Sequence, residues 1–273
     1  MSSQTQTQAP SLRAAVESTD LNVLMLVEFG SRAYGAATVE SDHDLLGIYV
    51  EHDRQLYGLE VAETQSYRLH ADGELVRMGV SNKPRSHADD IEFLLHPLRK
   101  YVSLAAAGNP SVLSTLWVDT SSDLGVMTSP AAELLLAHRD AFVSKHAGFR
   151  HAGYARAQRD ALLGLTNKRT NRPELKNLHG FDSKYASHLI RLLMAGLDLV
   201  REHAYHLPMK PEQTELLLEI RRGELTLADV LTLSEKLENE LMTETQDSSL
   251  PDSVDFGFLN DLLRQVRNEH LGR

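Results

Sequence analysis

The sequence predicts an α+β fold, in which a small mixed β-sheet domain is followed by a mainly helical domain. In the first half, two continuous apolar runs have the length of strands, NVLMLVEF (22–29) and DLLGIYV (44–50). In the second half, apolar residues recur at the 3.6-residue spacing of helices that bury one face. We expect one domain over 11–125 and a second over 126–273. The polar residues 1–10 are expected to form a disordered tail.

Three further elements complete the predicted sheet domain. SLRAAVES (11–18) fits one short helix before the first strand. The Asp72-Gly73 pair is typical of a tight turn, so SYRLHADGELVRMGV is predicted to be a β-hairpin. DIEFLL (90–95) has the composition of another buried strand.

The helical part begins at Pro97. Its first helix is expected to end at Gly108-Asn109-Pro110, because these residues terminate helices. TETQDSSLPDS (243–253) is predicted to be a loop. Further helices are predicted at 130–139, 145–165, 183–205, 212–221, 226–244 and 255–270.

Composition limits the classes of function. The 273 residues include no cysteine, and no apolar run approaches the roughly 20 residues of a membrane span. We therefore expect a cytoplasmic protein with no membrane partner, and its oligomeric state stays open. The formal net charge is −10, yet residues 138–210 hold 13 Lys and Arg against 6 Asp and Glu. A basic middle region is where an anionic substrate would bind.

The segment between the first two strands carries the strongest chemical pattern. Asp42 and Asp44 are two residues apart at the start of a strand, so both carboxylates project from the same face. Their mutual repulsion calls for a cation, and oxygen ligands suit Mg²⁺ or Mn²⁺. Gly30-Ser31 starts a turn whose backbone N–H groups and hydroxyl could bind phosphate. A solvated turn with capping aspartates is the simpler alternative for Asp42 and Asp44.

Phosphoryl or nucleotidyl transfer through two metals usually needs a third carboxylate. Glu92 is our preferred candidate, because it lies in the middle of the DIEFLL run. Asp90 is the second choice and Asp89 the third.

Cationic residues of the predicted helix 183–205 could bind the phosphates. Lys184, His188 and Arg191 are spaced i, i+4 and i+7, which places them on one helix face. The alternative is a solvated face behind an Asp182 cap. Two other segments are weaker candidates for anion contacts, namely Arg32 with Tyr34 and the basic run KRTNRPELK (168–176).

Together these motifs resemble the DNA polymerase β nucleotidyltransferase superfamily. GSRAYG followed by SDxDxxGI (41–48) is similar to the bacterial and phage branch predicted to act in RNA repair. The similarity extends to PLRKYVSLAAAGNPSVLSTLW, YARAQ, GFDSKYASHLIRLLMAGLDLV and LLLEIRRGELTLADVL, and so to most of residues 22–235. The resemblance implies a polymerase-β-like domain in which Gly30 and Ser31 bind nucleotide phosphates and Asp42 and Asp44 bind metal. The third acid falls on Glu92, where related proteins more often carry aspartate.

We therefore expect a metal-dependent nucleotidyltransferase that moves a nucleoside monophosphate from an NTP to a hydroxyl acceptor. The resemblance suggests an RNA or tRNA end as the acceptor, with Mg²⁺ or Mn²⁺ as the cofactor. Two alternatives stay open: a nucleotide-binding regulatory module without turnover, and nucleotidylation of a protein or a small molecule. A metal-dependent nuclease has no supporting motif, since no strand acid is followed by Glu-x-Lys.

Overall fold

The computed structural model describes residues 12–38, 41–79, 90–166 and 172–272. The predicted tail at 1–10 and the third-choice acid Asp89 lie outside these ranges. Among the described residues, no helix combines the length and the apolar character needed to cross a lipid bilayer.

A six-stranded mixed sheet forms the first part of the fold, as predicted. Its strand order is β4-β3-β5-β2-β1-β6, with β2 and β5 parallel and the other neighbours antiparallel. The hairpin is confirmed as β3 and β4, and Gly73 takes the left-handed conformation in its turn (φ +89°). The strands are β1 (Asn22–Phe29), β2 (His43–Val50), β3 (Gln65–Leu69), β4 (Leu75–Met78), β5 (Ile91–Pro97) and β6 (Gly125–Thr128).

Helices dominate the rest of the chain. They are α1 (12–17), α2 (Asp53–Leu56), α3 (Leu98–Ala106), α4 (Pro110–Ser114), α5 (Pro130–Ala137), α6 (Lys145–Leu162), α7 (Pro173–His179), α8 (Ser183–Glu202), α9 (Pro211–Arg222), α10 (Leu227–Asp247) and α11 (Phe256–Leu271). The loop prediction at 243–253 is partly wrong, because α10 continues to Asp247. TETQD contains no Gly or Pro to stop the helix, and the buried Thr245 holds this turn against the core.

The sheet is covered on both faces. Leu46 and Ile48 of β2 belong to the larger core, which is completed by residues of α3, α4, α5, α6, α8 and α11. Leu45 and Tyr49 point to the opposite face, where Leu12 and Val16 of α1 pack. Helices that precede and follow residue 125 in the chain share one core with the sheet. The predicted domain boundary after residue 125 falls within β6.

Helix α8 is the central helix and packs against α6, α9 and α10. Its apolar residues Ile190 and Met194 contact a core that also contains Tyr34, which is only 2% exposed. Tyr34 belongs to the GSRAYG segment that follows β1. The motif is therefore anchored directly against the helix that carries the predicted cationic face.

Gly47 offers a test of the sheet register. A Cβ at this position would lie 2.3 Å from the Met25 carbonyl oxygen and 2.8 Å from a methyl group of Leu95. We expect Gly47→Ala to lower the free energy of unfolding by about 1–3 kcal/mol through overpacking. Gly153→Ala is the matched control, because nothing lies within 4 Å of a Cβ there, and it should be neutral or stabilising by up to about 1 kcal/mol. Chemical denaturation measures both, and a neutral Gly47→Ala would contradict the register.

Candidate active site

The loop after β1 brings backbone up to a carboxylate. Gly30 has φ +72°, and a Cβ on it would lie 3.5 Å from Oδ2 of Asp44. The chain then coils, with Tyr34 N donating to the Gly30 carbonyl (3.2 Å) and Ala36 N donating to that of Ser31 (2.9 Å). Both the left-handed backbone and the close approach favour glycine at position 30. Gly30 and Ser31 thus lie beside Asp44, as a phosphate loop next to a metal ligand would require.

Asp44 and Glu92 are paired residues on neighbouring strands. In the parallel β2–β5 ladder Asp44 stands opposite Glu92, so their side chains leave the same face. The antiparallel β3–β5 ladder places Arg68 opposite Glu92 on the other side. One row across the sheet therefore holds two carboxylates and a guanidinium. Arg68 could not be found from the sequence, because its place depends on a pairing between distant segments.

The pKa of Asp44 shows that other acidic side chains lie nearby. Burial, followed by the charges of Asp42, Glu92 and Glu28, raises the pKa of Asp44 from 3.8 to about 6, and Lys184 acts in the opposite direction. Asp42, Asp44 and Glu92 therefore repel one another within one site. The positive charges nearby only partly offset this repulsion.

Arg68 neutralises the Glu92 end of the row. Oε1 of Glu92 accepts hydrogen bonds from Nε (3.1 Å) and Nη2 (2.5 Å) of Arg68, whose side chain is 4% exposed. Asp90 is buried at the same end, 2.9 Å from Nδ1 of His70 and 3.8 Å from Nε of Arg68. Of the two candidate third acids, Glu92 is the one that is in register with Asp44 and perturbs its pKa.

The donor chemistry suits a hard divalent cation. Asp42, Asp44 and Glu92 offer carboxylate oxygens, and the raised pKa of Asp44 shows that a further positive charge there would be favourable. Within the described ranges, no three His, Cys, Asp or Glu side chains already converge as a metal-binding group. One oxygen of Glu92 is held by Arg68, so full coordination by all three acids would require side-chain adjustment.

Arg32 supports the loop from outside the carboxylate row. Its guanidinium donates to the carbonyl oxygens of Ser41 (3.0 Å) and Asp42 (3.3 Å) and lies 3.6 Å from Oε1 of Glu28. These contacts hold the segment that carries Asp42 against the end of β1. Nucleotide binding by Arg32 stays a prediction.

The predicted face of α8 is directed towards the motif, and two of its three residues, Lys184 and Arg191, are cations. Burial lowers the pKa of Lys184, with Arg172 and Arg221 acting in the same direction and Asp42 and Asp44 opposing it, so this ammonium faces the acids. At the other end of the face, the Arg191 guanidinium carbon lies 3.9 Å from the centre of the Tyr34 ring, in a cation–π contact.

His188 lies between these two cations and is neutral. Nη2 of Arg191 is 2.9 Å from Nδ1 of His188, and since arginine can only donate, Nδ1 must accept and carries no proton. Burial, followed by the charges of Arg191, Lys184 and Arg172, lowers the pKa of His188 well below its ordinary value. Two arginines that sequence reasoning did not single out, Arg172 and Arg221, thus extend the cationic face. Arg172 belongs to the basic run 168–176, of which 168–171 lie outside the described residues.

A glycine loop beside Asp44, a row of acids on parallel strands and a facing helix with Lys184 and Arg191 are the features expected of a polymerase-β-like nucleotidyltransferase. A family model described as the RNA repair pathway DNA polymerase beta family (RlaP) matches residues 5–265. The chain belongs to this family, which confirms the resemblance found in the motifs. A comparison with curated proteins finds no match.

The repulsion at Asp44 predicts a pH-dependent gain in stability for Asp44→Asn without divalent metal. Because the folded-state pKa is raised, the contribution of Asp44 to native stability is most favourable below pH 3.8 and is lost as pH rises through about 6. Asparagine does not ionise and so has no such loss. Above about pH 6 the free energy of unfolding of the variant should exceed that of the parent by about 2–3 kcal/mol, and below pH 3.8 the two should be equal. Urea denaturation in a chelator at several pH values tests this.

Asp198→Asn is the control for that experiment. Asp198 is a buried aspartate that is bonded to Lys210 (3.0 Å) and Gln213 (2.9 Å), so its variant should be less stable than the parent at neutral pH. If Asp44→Asn also lost stability there, Asp44 would be a structural residue.

Arg68 should act as an internal counter-ion for the acids. Arg68→Met removes a buried cation that Glu92 and Asp90 both contact, so we expect a loss of about 3–5 kcal/mol in the free energy of unfolding. Mg²⁺ should add more stability to this variant than to the parent. Without metal, adding Glu92→Gln to Arg68→Met should restore part of the lost stability. An equal increase in the free energy of unfolding of both proteins on addition of Mg²⁺ would contradict the role of Arg68 as a counter-ion.

Proposed function

We propose that this protein is a metal-dependent nucleotidyltransferase that transfers a nucleoside monophosphate from an NTP to a terminal hydroxyl of RNA or tRNA. The observation that carries the proposal is the pairing of Asp44 with Glu92 across β2 and β5, beside Gly30 and in the field of Lys184. Donor phosphates and an acceptor hydroxyl could meet at this row of carboxylates.

The acids would serve as the metal site. Asp42, Asp44 and Glu92 would hold Mg²⁺ or Mn²⁺, which supplies Lewis-acid stabilisation of the phosphoryl oxygens and activation of the attacking hydroxyl. Asp44 and Glu92, which are paired on adjacent strands, would orient the acceptor hydroxyl towards the α-phosphate. Arg68 would hold the Glu92 side chain in place when the metal is absent.

The loop after β1 and the cationic residues of α8 would bind the triphosphate. Backbone N–H groups at Gly30 and Ser31 offer donors at the end of β1. Lys184 and Arg191 would neutralise the phosphates and the pyrophosphate leaving group, and His188 fixes Arg191 by accepting its hydrogen bond. The arrangement explains why the basic charge is concentrated in residues 138–210.

The RNA acceptor is supported by the family, whose description names an RNA repair pathway. One observation favours a nucleotide-binding module without turnover as the second candidate: Glu92 is bound by Arg68 and, among the described residues, no three ligands converge. The two candidates differ in whether pyrophosphate is released.

The test combines labelled NTPs, Mg²⁺ and a pool of cellular RNA. We expect label to enter RNA with release of pyrophosphate, and Asp42→Asn or Asp44→Asn to lower the rate by about 100-fold or more, since both remove charge that the transition state needs. Lys184→Ala should weaken NTP binding by about 10- to 100-fold, the value of one charge-assisted contact. Lys236→Ala, an exposed lysine on α10, is the matched control and should change nothing. Tight NTP binding without pyrophosphate release would support the module instead.

A further inference from the structure

A cavity of about 350 Å³ opens next to the carboxylate row. Its floor is the sheet face that carries Asp44 and Glu92, and its far wall is formed by the start of α4 and by Tyr154 of α6. The volume is at the lower end of the range for small-molecule sites, roughly 300–1,000 Å³, and so suits a single nucleoside better than a length of double helix.

The charge of the cavity excludes a triphosphate. Its lining includes Asp44 and Glu92, and none of its described lining residues is Lys or Arg. His96, which also lines it, is neutral because burial, and then Lys100, lower its pKa to about 4. The cationic residues Lys184 and Arg191 are not part of the lining. The cavity therefore suits an uncharged, hydroxyl-bearing group, and the phosphates belong with the cations of α8.

Two hydroxyl groups in the cavity are available to a ligand. Tyr154 Oη accepts hydrogen bonds from Nδ2 of Asn109 (3.0 Å) and from Nη2 of Arg150 (3.5 Å), and within the described part of the chain no acceptor takes its own proton. The Ser111 hydroxyl likewise has no hydrogen-bond partner in that part of the chain. Asn109 is fixed in turn, because its Oδ1 accepts from the backbone N–H groups of Ser111 (3.1 Å) and Val112 (3.2 Å).

The remaining walls are apolar. Phe29, Leu46, Leu94, Leu104 and Val112 surround the space above the acids. Flat apolar walls with a few hydroxyl groups match a base and its ribose.

We propose that this cavity is the acceptor subsite and holds the terminal nucleoside of an RNA strand, with its ribose hydroxyl directed at Asp44 and Glu92. The inference rests on the proposed function. In the reaction, the hydroxyl oxygen forms a bond to the α-phosphorus of the NTP, the bond from that phosphorus to the pyrophosphate oxygen breaks, and the hydroxyl proton passes to solvent. Tyr154 and Ser111 bind the nucleoside and set which ends are accepted.

Filling the cavity separates acceptor binding from donor binding. Ser111→Phe places a ring in the cavity without removing a hydrogen bond of the native protein. We expect KM for a short single-stranded RNA with a free terminal ribose to rise at least tenfold, while the affinity for a non-hydrolysable NTP measured by calorimetry changes less than twofold. Ser103→Phe is the matched control, because Ser103 is exposed on α3 and does not line the cavity. Tyr154→Phe, a smaller change, should raise the same KM with only a small fall in melting temperature, since it also removes the hydrogen bond from Asn109.

The outcomes are distinct. Loss of NTP affinity in Ser111→Phe would show that the cavity holds the donor nucleoside, and an unchanged KM for RNA in both variants would show that it holds neither substrate. Transfer of label to a protein by the wild-type chain would also overturn the subsite. If the wild-type chain releases no pyrophosphate with any acceptor, the proposed function itself fails, and the inference fails with it.

Discussion

The parallel pairing of β2 with β5 is the constraint on which the rest of the site depends. It places Asp44 opposite Glu92, with Asp42 two residues before Asp44, and so concentrates negative charge at one end of a buried sheet. Burial of Asp44 and the repulsion within this cluster cost folding free energy, and both raise the pKa of Asp44. The surrounding structure reduces that cost from two directions, with Arg68 on β3 and Lys184 on α8.

Helix α8 joins the site to the helical core. Its cationic face meets the loop after β1 through the contact of Arg191 with Tyr34, and Tyr34 in turn donates a hydrogen bond to the Ser114 hydroxyl on α4 (2.8 Å). The loop that would bind phosphate is therefore held by two helices as well as by its own strand. Rigid support of this kind keeps a catalytic constellation in place before substrate arrives.

Much of this could be predicted from the sequence, because the informative patterns are local. Apolar runs indicated β1, β2 and β5, and the spacing of Lys184, His188 and Arg191 indicated one helix face. Arg68 and Arg221 were missed, since only long-range pairing and helix packing bring them to the acids and to Lys184. The short strand β6 lacks an apolar run of its own, and the cavity beside Glu92 depends on how α4 and α6 approach the sheet.

The central claim is that Asp42, Asp44 and Glu92 form one metal site that serves a bound NTP. Electron paramagnetic resonance of Mn²⁺ in the presence of a non-hydrolysable NTP tests it most directly, because bound and free Mn²⁺ give different spectra. We expect the wild-type protein to retain Mn²⁺ together with the nucleotide and Asp44→Asn to release the metal. Equal retention of Mn²⁺ by both proteins would contradict it.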